Sequence, residues 1–192
     1  MCFVVKDSGK AESGNNKLKL THKQIAESAL FLAIALALSQ IKAFQMPQGG
    51  SVSLIPIPVI ILAARHGFKL GLLSSLILGG ILMMISTHRL VNVPQFLLDY
   101  PVAYMFLALA GLSEFTSAKK ASVITIATCL LRLIPHTAAG MLILYTSSWT
   151  AAFWGSFAYN LSHVLPESIV CSIIIYFLYK TDENLLKRQK AA

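Results

Sequence analysis

Seven side chains in this 192-residue chain stand where polar groups are costly: Glu27, Asp99, Arg132, His136, Asn160, His163 and Glu167. All lie in or against long apolar runs, and an ionisable group in such a run asks for a partner or a task. Their spacing orders them. Ser156, Asn160, His163 and Glu167 recur at i, i+4, i+7 and i+11, one stripe along a helix. Arg132, His136 and Gly140 are spaced by four, as are Gln95 and Asp99. Lipid cannot solvate three such stripes, so they must face a protein interior. The chemistry that fits is ligand capture. Asp99, followed by Tyr100 and Tyr104, suits a cation through charge pairing and ring faces. The same carboxylate also fits as an acidic residue favoured near a helix N-terminus.

Stepping the helices back from a turn near Trp149 sets the depths. His136 is 13 residues before that point and His163 is 14 after it; Arg132 is 17 before and Glu167 is 18 after. Each pair therefore sits at one level of an antiparallel hairpin. Arg132 and Glu167, the deepest, read either as a buried ion pair joining two helices or as part of a site. Asp99 is five residues past Pro94, about 7 Å below the start of its helix at 1.5 Å per residue. The three stripes converge on one half of the bundle.

The elements that must hold them are membrane helices. The chain is 56% hydrophobic and 12% charged, with a mean hydropathy of +0.68. Soluble domains are about 45–50% apolar and about 25% charged, which excludes a solvated globule or a disordered chain. A span needs about 20 apolar residues. The expected spans are residues 22–40, 52–64 (interrupted by Pro56 and Pro58), 70–86, 94–112, 121–145 and 153–179. The fold class is therefore all-α, a bundle of six transmembrane helices. One membrane domain, residues 21–180, lies between a polar tail (1–20) and a basic tail (181–192). The head is too long and polar for a signal n-region.

Thirteen of the 16 basic residues fall in the two tails, at their junctions with the first and last spans (Lys23 and Lys180), and in the loops after the second and fourth spans; Lys42 and Arg89 lie on the other side. The positive-inside rule then puts both termini in the cytoplasm of a multi-pass protein of the cell membrane. The excess charge is accounted for by these loops and not by nucleic acid. On the first span Ala29, Ala33 and Ala37 recur every four residues. Such a stripe lets a helix approach closely, from a partner or from within the chain.

Several chemistries find no residues. Gly9-Lys10 is followed by Ala11, so there is no phosphate loop, and no nucleophile elbow or H-E-x-x-H pair exists. Cys2, Cys129 and Cys171 make no metal spacing or disulfide framework. No enzyme activity, metal or cofactor is expected.

Four stretches appear in order: MPQGGSVSLIPIPVIILAARHG (46–67), QFLLDYPVAY (95–104), RLIPHTAAG (132–140) and AYNLSHVLPE (158–167). Together they resemble the thiamine-specific substrate-binding component of energy-coupling factor (ECF) transporters, over residues 21–179. The resemblance implies a six-helix protein that captures thiamine from outside. It also implies a transmembrane coupling protein and two ATPase subunits as partners. Asp99 would face the thiamine cation, His136 and Asn160 would read the pyrimidine, and Tyr100, Tyr145, Trp154 or Tyr159 would supply ring faces. Gly49, Gly50 and Ser51 would form a lid, and Ala29, Ala33 and Ala37 a docking face for the coupling protein. The chain departs from the family pattern at Thr137 and Ala139, at Leu144 in place of a tryptophan, and at His163 in place of a tyrosine. A related pyrimidine, another cationic vitamin, or a stand-alone proton-coupled transporter are the alternatives.

Overall fold

The computed structural model describes residues 20–41, 44–46, 50–86, 92–143 and 148–189. Most of the expected N-terminal tail lies outside the described residues, as do Gly49 and Tyr145. Helix α1, His22–Ser39, opens on a capping box: the Thr21 side chain accepts from the Gln24 backbone and the Gln24 side chain accepts from the Thr21 N–H. Ser28, Ala35 and Ser39 form its buried face, while Ala29, Ala33 and Ala37 are exposed beside Leu30 and Ile34.

Two short antiparallel strands follow, β1 (Phe44–Gln45) and β2 (Ser51–Val52), with Phe44 opposite Val52. They are the one departure from all-α structure among the described residues. Helix α2, Pro56–His66, carries proline in its first turn, where the missing N–H costs nothing. Every residue from Pro56 to Ala64 is buried, as expected of a helix that is apolar all round. At 11 residues it is about 16 Å long, too short to cross a bilayer core of about 30 Å. It ends at Gly67, whose φ of 85° is left-handed, and α3 (Phe68–Ile85) starts at once.

Helix α4, Val93–Leu112, is not uniform. Asn92 caps it by accepting from the Gln95 N–H at 2.8 Å. The turn at Leu98–Val102, around Pro101, is a wider π-type turn, and Phe106–Leu112 tightens to a 3-10 helix. Helix α5, Ala118–Ile143, breaks at Arg132. Pro135 explains the break: it has no N–H for the carbonyl four residues earlier, and its ring crowds that turn. Helix α6, Trp149–Thr181, runs 33 residues against α5.

Four helices, α3 to α6, are long and apolar enough to cross a membrane. Helix α1 carries His22, Lys23, Gln24 and Glu27 in its first two turns. The core gathers Ile60, Leu62, Leu78, Leu107 and Ile175, each fully buried. Cys129 and Cys171 are buried and unbridged.

The segment after α6, read from sequence as a basic tail, has structure of its own. Leu186 is fully buried. The Gln189 N–H donates to the Arg65 carbonyl at 2.8 Å. The Arg65 guanidinium donates in turn to the carbonyls of Asn184 and Leu185 and to Glu27.

Candidate ligand-binding site

The π-type turn sets Asp99. It widens the helix by one residue per turn, a distortion common at functional sites. Gly79 of α3 lets that turn come close: a Cβ there would lie 2.6 Å from the Pro101 Cα. Asp99 Oδ1 accepts from His136 Nδ1 at 3.0 Å, and Oδ2 accepts from Gln95 Nε2 at 3.3 Å. An ionised carboxylate only accepts, so Nδ1 carries the imidazole proton in this pair. Nε2 of His136 is then the acceptor in a neutral ring, and it is buried without a partner among the described residues.

Helix α6 completes the arrangement. Asn160 Nδ2 donates to the carbonyls of His136 and Ser156, at 3.1 and 2.9 Å. Two carbonyls need a donor, so the amide orientation follows and Oδ1 is left to accept. The Ser156 hydroxyl donates to the Thr137 carbonyl at 2.8 Å. Gly140 admits this contact, since a Cβ there would stand 2.2 Å from Ser156 Oγ. The His163 ring lies edge-on to His136, centroids 6.3 Å apart, and to Tyr159, 5.7 Å apart. A polar chain thus runs Gln95, Asp99, His136, His163, Tyr159 across three helices.

The β-ribbon closes on one end of this chain. The Gly50 N–H donates to the Tyr159 hydroxyl at 3.0 Å. A Cβ at Gly50 would fall 2.7 Å from His163 Nδ1, so glycine is what lets the ribbon lie this close. Beneath, Arg132 donates to Glu167 at 2.6 Å, with side chains 6% and 3% exposed. Glu167 also accepts from the Ser53 N–H at 3.2 Å and the Ser53 hydroxyl at 2.8 Å. The Arg132 guanidinium lies 5.0 Å from the centre of the Tyr104 ring. The ion pair expected from helix depth is therefore present, and it ties α5 and α6 to the residue after the ribbon.

Of the residues singled out from sequence, the structure brings together Asp99, His136, Asn160, Tyr159 and Gly50. Ser51 pairs with Gln45 within the ribbon. Tyr100 turns toward α3, its hydroxyl 2.6 Å from Ser86 Oγ. Trp154 is 60% exposed and packs edge-on to Phe153 and Phe157, outside the polar chain. Sequence reasoning missed Ser53 and the ring of Tyr104 over Arg132. A serine beside apolar residues carries no signal until the carboxylate facing it is known.

Three further atoms of these residues, Gln95 Oε1, Thr137 Oγ1 and the donor Arg132 Nε, are buried without hydrogen-bond partners among the described residues. With His136 Nε2, Asn160 Oδ1 and the Asp99 carboxylate, the set is rich in acceptors. Arg132 and Glu167 cancel each other, so Asp99 leaves the arrangement anionic. Its chemical complement is a cation that donates N–H bonds.

Residues 25–187 match the family described as thiamine transporter protein. The chain belongs to this family. It is 30% identical, over 184 residues, to the thiamine transporter ThiT of Bacillus subtilis strain 168, covering 88% of this chain and 96% of that one. Among solved structures it resembles ThiT from Listeria monocytogenes, with a TM-score of 0.74 at 24% identity over 87% of this chain and 98% of that one. The S-component for biotin from an ECF-type ABC transporter has a TM-score of 0.53 at 13% identity, over 88% and 100% of the two chains. Membership of this family makes the chain a multi-pass membrane transport protein and not an enzyme.

Proposed function

We propose that the chain captures thiamine from the extracellular side and hands it to partner subunits of an ECF importer in the cell membrane, a coupling membrane protein and two ATPases. Six membrane-embedded helices with both termini cytoplasmic are part of this reading, supported by the basic excess at the end where Arg65 and Gln189 meet. The observation that carries it is the acceptor-rich, anionic set at Asp99, His136 and Asn160 in a chain of the thiamine transporter family. Thiamine offers what that set lacks: a permanent thiazolium charge and an exocyclic amine.

In this reading Asp99 neutralises the thiazolium, while His136 Nε2 and Asn160 Oδ1 accept from the aminopyrimidine. Tyr159 supplies a ring face, a contact worth about 0.5–2 kcal/mol for a cation. Gly49 to Ser51 form the lid, fastened through Gly50 to Tyr159. Ala29, Ala33 and Ala37, exposed on α1, form the docking face. Tyr100, Tyr145 and Trp154 are assigned to the ring wall of the loaded state, which Tyr100 and Trp154 reach only by turning inward.

The test is a ligand panel on purified protein in detergent, read by quenching of Trp and Tyr fluorescence. Thiamine should bind without ATP, and the free pyrimidine more weakly. Asp99→Asn keeps the shape but removes the charge. At about 5 Å and an effective dielectric near 20, that charge is worth about 3 kcal/mol, or on the order of a hundredfold in Kd. Silence toward thiamine, or an unchanged Kd in Asp99→Asn, refutes the assignment.

A further inference from the structure

The β-ribbon is too short to place itself. Each strand has two residues, and a two-stranded hairpin alone is marginal in water. Its contacts with α6 hold it, and they are unequal. Gly50 makes one hydrogen bond there, from its N–H to the Tyr159 hydroxyl at 3.0 Å. Ser53, just past β2, engages every polar group it has. Its N–H and hydroxyl donate to Glu167 Oε1 at 3.2 and 2.8 Å, and its carbonyl oxygen lies 3.8 Å from the Cys171 thiol sulfur. Ser53 and Glu167 are both buried, and Arg132 takes the other carboxylate oxygen. Hydrogen bonds to an ionised group are roughly twice as strong as neutral ones. Ser53 is therefore the strong anchor and Gly50 the weak one.

We infer that Ser53 is a positioning residue for thiamine capture, a role that rests on the reading of the chain as a thiamine-capturing subunit. Held by Glu167, it sets the register at which the ribbon meets α6, and so seats Gly50 on Tyr159 at the edge of the site.

The lengths agree with such a seat. Gly50 to Ser53 is three residues, about 10 Å of extended chain. Tyr159 to Glu167 is eight residues, about 12 Å of helix. The strand therefore runs alongside α6, with His163 at a level between the two anchors. The residues around Ser53 explain why it decides the register. At Gly50 a Cβ would fall 2.7 Å from His163 Nδ1, but Gly49 lacks a Cβ as well, so that contact does not choose between them. A slip of one residue in either direction brings Val52 or Leu54 opposite Glu167 and turns the strand's side chains to the other face. Neither side chain carries a donor, and a buried carboxylate deprived of one is costly. Ser53 opposite Glu167 satisfies both ends at once.

The experiment compares Ser53→Ala, which deletes the hydroxyl, with Ser53→Thr, which keeps it, in the full chain in detergent. Without ligand, hydrogen exchange read by mass spectrometry should run about tenfold faster in Ser53→Ala for peptides covering Gly50 to Ser53, the share of one hydrogen bond to a charged group. Peptides from α3 should keep the parent rate, and Ser53→Thr should restore the ribbon. With thiamine, stopped-flow fluorescence should show dissociation about tenfold faster in Ser53→Ala, with association within about twofold of the parent. Adding Tyr159→Phe to Ser53→Ala should then raise dissociation by less than about twofold, since a ribbon out of register no longer seats Gly50 on residue 159. Unchanged exchange in the ribbon, or exchange that rises equally in α3, overturns the anchor. Faster exchange with an unchanged dissociation rate overturns the role in capture, as does a double variant whose effects multiply to about fiftyfold. A parent chain that ignores thiamine removes the proposed function instead, and the exchange measurement still decides the anchor.

Discussion

Removing the charge of Glu167 while keeping its shape tests how the site is held together. In Glu167→Gln the Arg132 guanidinium, 6% exposed, loses its only carboxylate among the described residues. The Tyr104 ring and a neutral amide oxygen do not replace it. Breaking a buried pair by deleting one partner costs about 3–5 kcal/mol, because the other charge remains out of water. Arg132→Met is the mirror experiment. There Glu167 keeps two donors, the N–H and hydroxyl of Ser53, so its loss should fall at the lower end of that range. The double variant Arg132→Met/Glu167→Gln has no stranded charge and should sit within about 1 kcal/mol of the parent. For a chain of this size the single variants should lower Tm on the order of 10 °C. The assay is thermal unfolding in detergent, followed as a double-mutant cycle. A double variant as unstable as the sum of the singles, or singles that unfold with the parent, would refute the reasoning.

Gly79→Ala drives a Cβ to within 2.6 Å of the Pro101 Cα, a backbone atom that cannot swing aside. A loss of about 1–3 kcal/mol is expected, together with weaker thiamine binding as the turn carrying Asp99 shifts; thermal unfolding and titration measure both. Tyr159→Phe removes the acceptor of the Gly50 N–H. One hydrogen bond is worth about 1 kcal/mol, so thiamine should leave about fivefold faster in stopped-flow fluorescence. Ala33→Leu fills an exposed step of the α1 stripe. Thiamine binding by the purified chain should be unchanged while uptake in cells falls, and an equal loss of both would remove α1 as a docking face.

Much of the site is legible in the spacing of residues along straight helices. Counting from the turn near Trp149 pairs Arg132 with Glu167 and His136 with His163, and both pairs meet in the structure. That count succeeds because α5 and α6 run antiparallel and both halves of α5, on either side of Arg132, pack against α6. It serves less well on α4. The π-type turn at Leu98–Val102 adds a residue to one turn, so the faces before and after it do not follow one 3.6-residue period. Tyr100 consequently meets Ser86, the residue that follows α3. Trp154 lies two residues before Ser156 of the α6 stripe yet is 60% exposed; its type alone does not say which way an aromatic ring faces, since rings suit both a pocket and a membrane interface.

Composition and periodicity were sufficient for a helical membrane protein with its polar stripes turned inward, because lipid leaves such groups no other place. Motif order was sufficient to point to the family. Packing alone decided three things. Ser53 became a partner of Glu167 through backbone and hydroxyl contacts 114 residues apart. The ribbon came to rest on Tyr159 because Gly50 has no Cβ. Leu186, beyond the last long helix, became core. Each depends on groups far apart in the chain meeting at a few ångströms, a condition no local pattern encodes.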